Sequence, residues 1–242
     1  MNFALIFAGG VGQRMNTVSH PKQFLVVHGK PIIVHTIEHF QKCKDIDGIV
    51  VACVAEYLDY MQEIKEKWRL SKIMDIIPGG DCGQKSIFNG LEALQKFVKS
   101  NEDIVLIHDG VRPLIDESTI EENINCVRKN GNCVTVAKAI ETILLLQNDH
   151  VDKALDRSNC YLGRAPQSFY FRDIYSAHQR AKKMGKFDFI DSALMMQFFG
   201  HKIYTVQGPV DNIKVTTPMD YYMFKAILDV KENEQIKVIS HE

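Results

Sequence analysis

The chain has 242 residues, with 29 Lys+Arg against 30 Asp+Glu, so its formal charge of −1 at pH 7 gives no global attraction to nucleic acid or to a membrane surface, and any anion site must come from local cations. Its 45% apolar and 24% charged residues are ordinary for a globular protein, the length suits one α/β domain over 1–242, and no apolar run approaches the length of a membrane span. The six cysteines, Cys43, Cys53, Cys82, Cys126, Cys133 and Cys160, lack Cys-x-x-Cys spacing, which argues against zinc and thioredoxin-type sites and predicts reduced thiols in the cytoplasm.

Phe3 to Ala8 is a short apolar run of buried-strand length. It breaks into Gly9, Gly10 and Gly12, followed by Arg14 and Lys22. Glycines let the backbone turn sharply and bring its N–H groups close to a ligand, and the two cations aim charge at whatever that backbone cradles. A dinucleotide fingerprint would need a third glycine where Met15 stands, and a Walker loop has no counterpart here. A nucleotide triphosphate held by main-chain amides, with Arg14 and Lys22 neutralising it, fits the stretch. So does a plain strand-to-helix turn with two solvated cations.

Pro31 to Phe40 predicts a helix, Ile46 to Val54 a second strand, Tyr57 to Trp68 an amphipathic helix and Ile73 to Ile77 a third strand. Lys85 to Lys99 predicts another helix, Asp103 to His108 a fourth strand and Val134 to Ala139 a fifth. This alternation predicts a mostly parallel, open Rossmann-like sheet covered on both faces. Between about 139 and 166 the pattern changes. Thr142 to Gln147, a turn at Asn148-Asp149 and a return over Val151 to Leu155 predict a β-hairpin, which reads equally as a dimer-forming arm or an ordinary surface excursion.

Three strand ends carry candidate chemistry, and in a parallel sheet such ends face one crevice. Pro78-Gly79-Gly80-Asp81-Cys82-Gly83-Gln84-Lys85-Ser86 offers bare backbone to a base or ribose, although Asp81 or Ser86 would serve equally as a helix N-cap. His108-Asp109-Gly110-Val111-Arg112 puts a carboxylate at the end of an apolar strand. Mg²⁺ takes one or two carboxylates plus phosphate oxygens, so Asp109 is the candidate metal ligand and Arg112 a candidate for an anionic second substrate. An Asp–Arg pair that merely ties a loop is the other reading. Lys214, inside Asp211-Asn212-Ile213-Lys214-Val215-Thr216, is the third charged group.

Taken together, these residues resemble the cytidylyltransferases that act on polyol phosphates, a family that includes the methylerythritol phosphate and ribitol-5-phosphate enzymes. The resemblance runs nearly end to end: Phe7-Ala8-Gly9-Gly10 with Arg14; Pro21-Lys22-Gln23-Phe24; Gly79-Gly80-Asp81 with Ser86; His108-Asp109 with Arg112-Pro113; Glu141-Thr142-Ile143; Pro166-Gln167 with Phe169; and Asp211 to Thr216. It implies a nucleotidyltransferase fold with a protruding β-arm. It also implies transfer of CMP from CTP to a polyol phosphate with Mg²⁺. Phe7, Ala8, Gly9, Gly10, Gly79, Gly80, Asp81 and Ser86 would hold the nucleotide. Arg14 and Lys22 would stabilise the α-phosphate in the transition state, Asp109 would bind the metal, and Arg157 and Lys214, with Arg112 and Thr142, would place the acceptor. Arg157 on the arm would reach the neighbouring subunit's site in a homodimer. Ala165 and Ile190 stand where the methylerythritol branch carries threonines. That departure, with Val111 and the Phe-Ala-Gly-Gly opening, favours a pentitol phosphate such as ribitol 5-phosphate over methylerythritol phosphate. A nucleotide-binding domain without catalysis is the second alternative.

Overall fold

The computed structural model of the chain describes residues 1–9 and 21–232; Gly10, Gly12 and Arg14 lie outside the described residues. Strands β1 (Asn2–Ala8), β4 (Gly48–Cys53), β5 (Ile73–Pro78), β6 (Ile104–Asp109), β7 (Asn132–Lys138), β10 (Tyr161–Tyr170) and β11 (Thr205–Gln207) form a seven-stranded sheet of order β11-β7-β10-β6-β1-β4-β5. β1 pairs in parallel with both β4 and β6, whereas β10 runs antiparallel to both of its neighbours, β6 and β7. Two short strands, β2 (Val26–Val27) and β3 (Lys30–Pro31), make a separate ribbon.

Strand side chains alternate between the two faces, and β1 divides the core accordingly. Ala4, Ile6 and Ala8 join the cluster built with α1 (Ile32–Lys42), α2 (Leu58–Lys67) and α4 (Glu117–Asn130). Phe3 and Leu5 join the opposite cluster with α3 (Gly83–Leu94), α5 (Phe171–Lys183) and α6 (Ser192–Phe198). Burial on both faces is why β1, β4 and β6 read as unbroken apolar runs. A third cluster, with Val27, Ile32, Val111, Leu114 and Val215, takes Phe224 from the last helix, α7 (Pro218–Glu232). His28 adds ion pairs to Asp229 at 2.8 Å and Glu232 at 3.0 Å. The hydrogen bond that the ring donates to the Glu232 carboxylate raises the imidazole pKa above its ordinary value.

The hairpin forms as β8 (Leu144–Gln147) and β9 (His150–Ala154). Asn148 and Asp149 sit at positive φ, 46° and 66°, as a two-residue hairpin turn with the twist of its strands requires. The segment outside the main sheet is shorter than the expected 139–166, because Tyr161 already pairs with Lys138 in the ladder between β10 and β7. Helix α3 also stops early, at Leu94 rather than Lys99. The Asp103 carboxylate draws the Lys99 and Ser100 amides (2.7 and 3.1 Å) into the turn that leads to β6, while Phe97 and Val98 still pack against the core.

Gly90 shows how closely α3 sits on β1: a Cβ built there would lie 2.2 Å from Leu5 Cδ1 and 3.1 Å from its Cγ. In an exposed helix, Gly→Ala would gain about 1 kcal/mol of propensity. Here the clash with a fully buried leucine reverses the sign, because overpacking a dense core costs roughly 1–3 kcal/mol. Urea denaturation of Gly90→Ala is therefore expected to show a lower midpoint than the parent, with an unchanged slope.

Candidate active site

Parallel pairing brings the carboxyl ends of β1, β4, β5 and β6 to one edge of the sheet, where such folds bind ligands. The loops leaving β1 and β5 meet there backbone to backbone. Gly79 N donates to Cys53 O at 2.7 Å, and a Cβ on Gly79 would lie 3.4 Å from Gly9 Cα and 3.0 Å from Ser86 Oγ. A Cβ on Gly9 would lie 2.7 Å from the same hydroxyl oxygen, so the approach requires glycine at that position. Ser86 Oγ accepts from Gly80 N at 3.0 Å and donates to Cys82 O at 3.0 Å. It thus shapes the glycine loop from within α3. Asp81 points outward and pairs with Lys85 at 2.7 Å, and its side chain is 71% exposed. Beside the end of β1, Gln23 Nε2 donates to Ala8 O at 2.7 Å, which fixes the turn that carries Lys22. Phe24 anchors that turn against Tyr57 and Tyr60, each at 5.2 Å between ring centroids.

Asp109 ends β6 and is buried. Its Oδ2 accepts from Arg112 Nε at 2.8 Å and its Oδ1 from Lys214 Nζ at 2.6 Å. Burial alone would push this carboxyl pKa up. The Lys214 ammonium and the Arg112 guanidinium outweigh burial and hold it at about 2, so the group is ionised at neutral pH. Arg112 also donates through Nη1 to Asn212 O at 3.0 Å, and Val215 N donates to Val111 O at 2.9 Å. The segment with Lys214 is thereby stitched to the loop after β6. His108 is enclosed. It donates from Nε2 to Arg112 O at 3.1 Å, and burial lowers its pKa to about 4, so it packs as a neutral ring.

Phe7, Asp109, Arg112 and Lys214 line one cavity of about 350 Å³, within the range of small-molecule sites. Gln84 closes one wall: its Nε2 donates to Lys186 O at 2.9 Å and its Oε1 accepts from Phe189 N at 3.2 Å. His178, stacked on Phe88 at 5.8 Å, also lines the cavity. Burial drives its pKa down to about 3, so it is neutral there. Sequence reasoning missed Arg164, which lines the cavity too. The only cue was a lone cation between Gly163 and Ala165-Pro166. Arg157 and Thr142 sit on the arm and are exposed. Arg157 Nη1 donates to Ile140 O at 3.1 Å, and neither residue is among those lining the cavity.

A family model described as 2-C-methyl-D-erythritol 4-phosphate cytidylyltransferase matches residues 3–230. Among individual relatives, the chain is 49% identical over 237 residues to a ribitol-5-phosphate cytidylyltransferase of Streptococcus agalactiae serotype III, covering 98% of this chain and 99% of that one. It is 46% identical to the ribitol-5-phosphate cytidylyltransferase of Vibrio parahaemolyticus, covering 98% and 99% of the two chains. It is 36% identical to the 2-C-methyl-D-erythritol 4-phosphate cytidylyltransferase of Clostridium acetobutylicum, covering 94% and 97%. Among solved structures it is similar to 4-diphosphocytidyl-2C-methyl-D-erythritol synthase from Anaerococcus prevotii. The TM-score is 0.80 at 28% identity, with 94% of this chain and 96% of that one covered.

Replacing Asp109 by Asn would leave two cations facing each other without their counter-charge. For a fully buried pair that costs roughly 3–5 kcal/mol; with Lys214 40% exposed, solvent screening reduces the expected loss to roughly 2 kcal/mol at pH 7. The folded-state pKa is depressed, so the stabilisation is present above the ordinary carboxyl value of 3.8 and is lost as pH falls toward 2. Denaturant titrations of parent and Asp109→Asn should therefore differ at pH 7 and converge in acid. A gap of constant size would contradict this.

Proposed function

Because the chain belongs to the 2-C-methyl-D-erythritol 4-phosphate cytidylyltransferase family, we propose that it transfers CMP from CTP to a pentitol phosphate, D-ribitol 5-phosphate, giving CDP-ribitol and pyrophosphate. An oxygen of the acceptor's phosphate attacks the α-phosphorus in line. The new O–P bond forms as the bond to the β-phosphate bridging oxygen breaks, and pyrophosphate leaves. A phosphate monoester is largely dianionic at neutral pH, so the nucleophile needs no base, in keeping with the buried, neutral states of His108 and His178. Two polyanions must instead be held together, and positioning with charge stabilisation is the main demand of phosphoryl transfer.

The observation that carries this reading is the convergence of Asp109, Arg112 and Lys214 in one cavity beside the touching glycine loops. In the proposed site, backbone around Phe7, Ala8, Gly9, Gly10, Gly79 and Gly80 holds the nucleotide. Arg14 and Lys22 stabilise the α-phosphate, and Arg112 and Lys214 attract the acceptor. Asp109 fits Mg²⁺: it is a hard oxygen donor, ionised, and single, so phosphate oxygens would complete the shell. Bound there, the ion would neutralise phosphate charge. Its approach would require Lys214, the more exposed of the two cations, to yield Oδ1.

The choice of acceptor rests on the relatives at 46–49% identity and on the cavity wall. Ala165 and Ile190 line it and offer no hydroxyl where threonines would suit methylerythritol phosphate. The six cysteines are unpaired thiols, as a reducing cytoplasm would keep them, and among the described residues no helix is long and apolar enough to cross a membrane. We place the enzyme in the cytoplasm as a homodimer joined through the arm. That pairing would cover Ile140, Leu146 and Val151, each more than half exposed, and would carry Arg157 toward the partner's site.

Two measurements test this. With CTP, Mg²⁺ and each polyol phosphate, pyrophosphate release is expected to be fastest with ribitol 5-phosphate. A preference for methylerythritol phosphate would replace the acceptor, and CTP binding without release for any acceptor would indicate a non-catalytic domain. Separately, Arg157→Ala and Lys22→Ala homodimers are expected to be nearly inactive, while the mixed dimer regains activity through one site with neither lesion. A fully active Arg157→Ala homodimer would remove the arm from catalysis.

A further inference from the structure

We propose that Arg164 is a second anchor for the acceptor's phosphate, supplied by the same chain that holds Asp109 and Lys214; this rests on the acceptor being a polyol phosphate. The other two cations of the cavity, which also attract the acceptor, already have partners. Arg112 has its Nε on Asp109 and its Nη1 on Asn212 O, and Lys214 has its ammonium on Asp109. Arg164 differs. Among the described residues its guanidinium makes no ion pair, and its Nε is buried with no hydrogen-bond partner. Burial, and then the like charge of Arg112, both disfavour its cationic form. A buried donor left unsatisfied is costly, and an incoming anion would remove both penalties at once.

The backbone explains how this side chain comes to line the cavity. In β10 the pairing with β7 slips between Gly163 and Gln167, and pairing with β6 begins only at Gln167. Arg164 therefore belongs to a bulge outside both ladders, opposite the end of β6 where Asp109 stands. Bulges of this kind re-aim a side chain that regular pleating would fix. The cavity charge also calls for an anion. Arg112, Arg164 and Lys214 face two carboxylates, Asp109 and Asp191, while His178 is neutral, which leaves one positive charge over. The unpartnered Nε2 of His178 suits a hydroxyl of the acceptor chain better than its phosphate, because a neutral imidazole brings no charge.

The test compares parent, Arg164→Gln and Arg164→Lys enzymes in steady-state pyrophosphate release, with calorimetric titration by ribitol 5-phosphate and by CTP. Hydrogen bonds to charged groups correspond to roughly 10- to 100-fold in affinity. Arg164→Gln should raise KM for ribitol 5-phosphate by about that factor and weaken its direct binding equally. KM and affinity for CTP should stay within about twofold, which also reports that the variant is folded, and Arg164→Lys should recover part of the loss. If the parent releases no pyrophosphate with any polyol phosphate, the functional reading fails, and calorimetry alone then judges Arg164. Equal affinity of parent and Arg164→Gln for ribitol 5-phosphate, or an equal loss toward CTP, overturns the proposal.

Discussion

An ionised carboxylate clamped between two cations organises the functional half of this molecule. Asp109 ends a buried strand, and its charge is what allows Arg112 and Lys214 to stand within hydrogen-bonding distance of one side-chain group. The clamp is also a seam. Through Arg112 and Asn212 it draws the segment before α7 against the loop after β6, and Asn212 Nδ2 in turn reaches Ala165 O at 3.1 Å. Three stretches distant in sequence are thereby held at one sheet edge. Such buried charge networks are sensitive to the removal of any one member.

The same geometry assigns different duties to the two sides of the edge. On the β5 side, side chains are all but absent: Gly9, Gly79 and Gly80 present main chain, and Ser86 spends its hydroxyl on shaping the loop. Bare amides suit a ligand recognised by outline and phosphate. On the β10 side the wall adds long, charged or aromatic side chains, Arg164, Gln167, Phe187, Phe189 and Asp191, to the small Ala165. They are carried by a strand that runs against its neighbours and by the segment of Phe187 to Ser192. A conserved nucleotide and a variable acceptor would be served well by this division.

Much of the frame was legible from the chain because doubly covered strands leave continuous apolar runs, as in β1, β4 and β6. The charges at their ends stood out against those runs, which is how Asp109 and Lys214 could be named. β10 was not legible, since Gly163 and Pro166 interrupt it and read as loop; the interruption is the bulge itself. Helix α4 was also passed over. Asp116 caps its start and Gly131, at φ +91°, ends it, but its inner face carries Thr119 and Asn123. Asn123 bonds Thr135 and Ser168, and these polar positions interrupt the buried stripe of Ile120, Ile124 and Val127 that periodicity would detect. Arg164 escaped notice for a related reason: its surroundings are set by pairing partners more than 25 positions away along the chain, not by its neighbours in sequence.

The slipped register of β10 has an implication for descent. A residue inside a regular ladder is constrained by alternation, because moving its side chain to the other face would disturb every neighbour. Positions 164 to 166 answer to no such partner. Ala165 and Pro166 are buried and their carbonyls are held by Asn212 and Thr135, so it is at Arg164 that lineages sharing this scaffold could exchange a side chain at little cost to folding, and so take up new alcohol phosphates while leaving nucleotide recognition untouched. The place where the sheet is least regular would then be the place where the family diversifies.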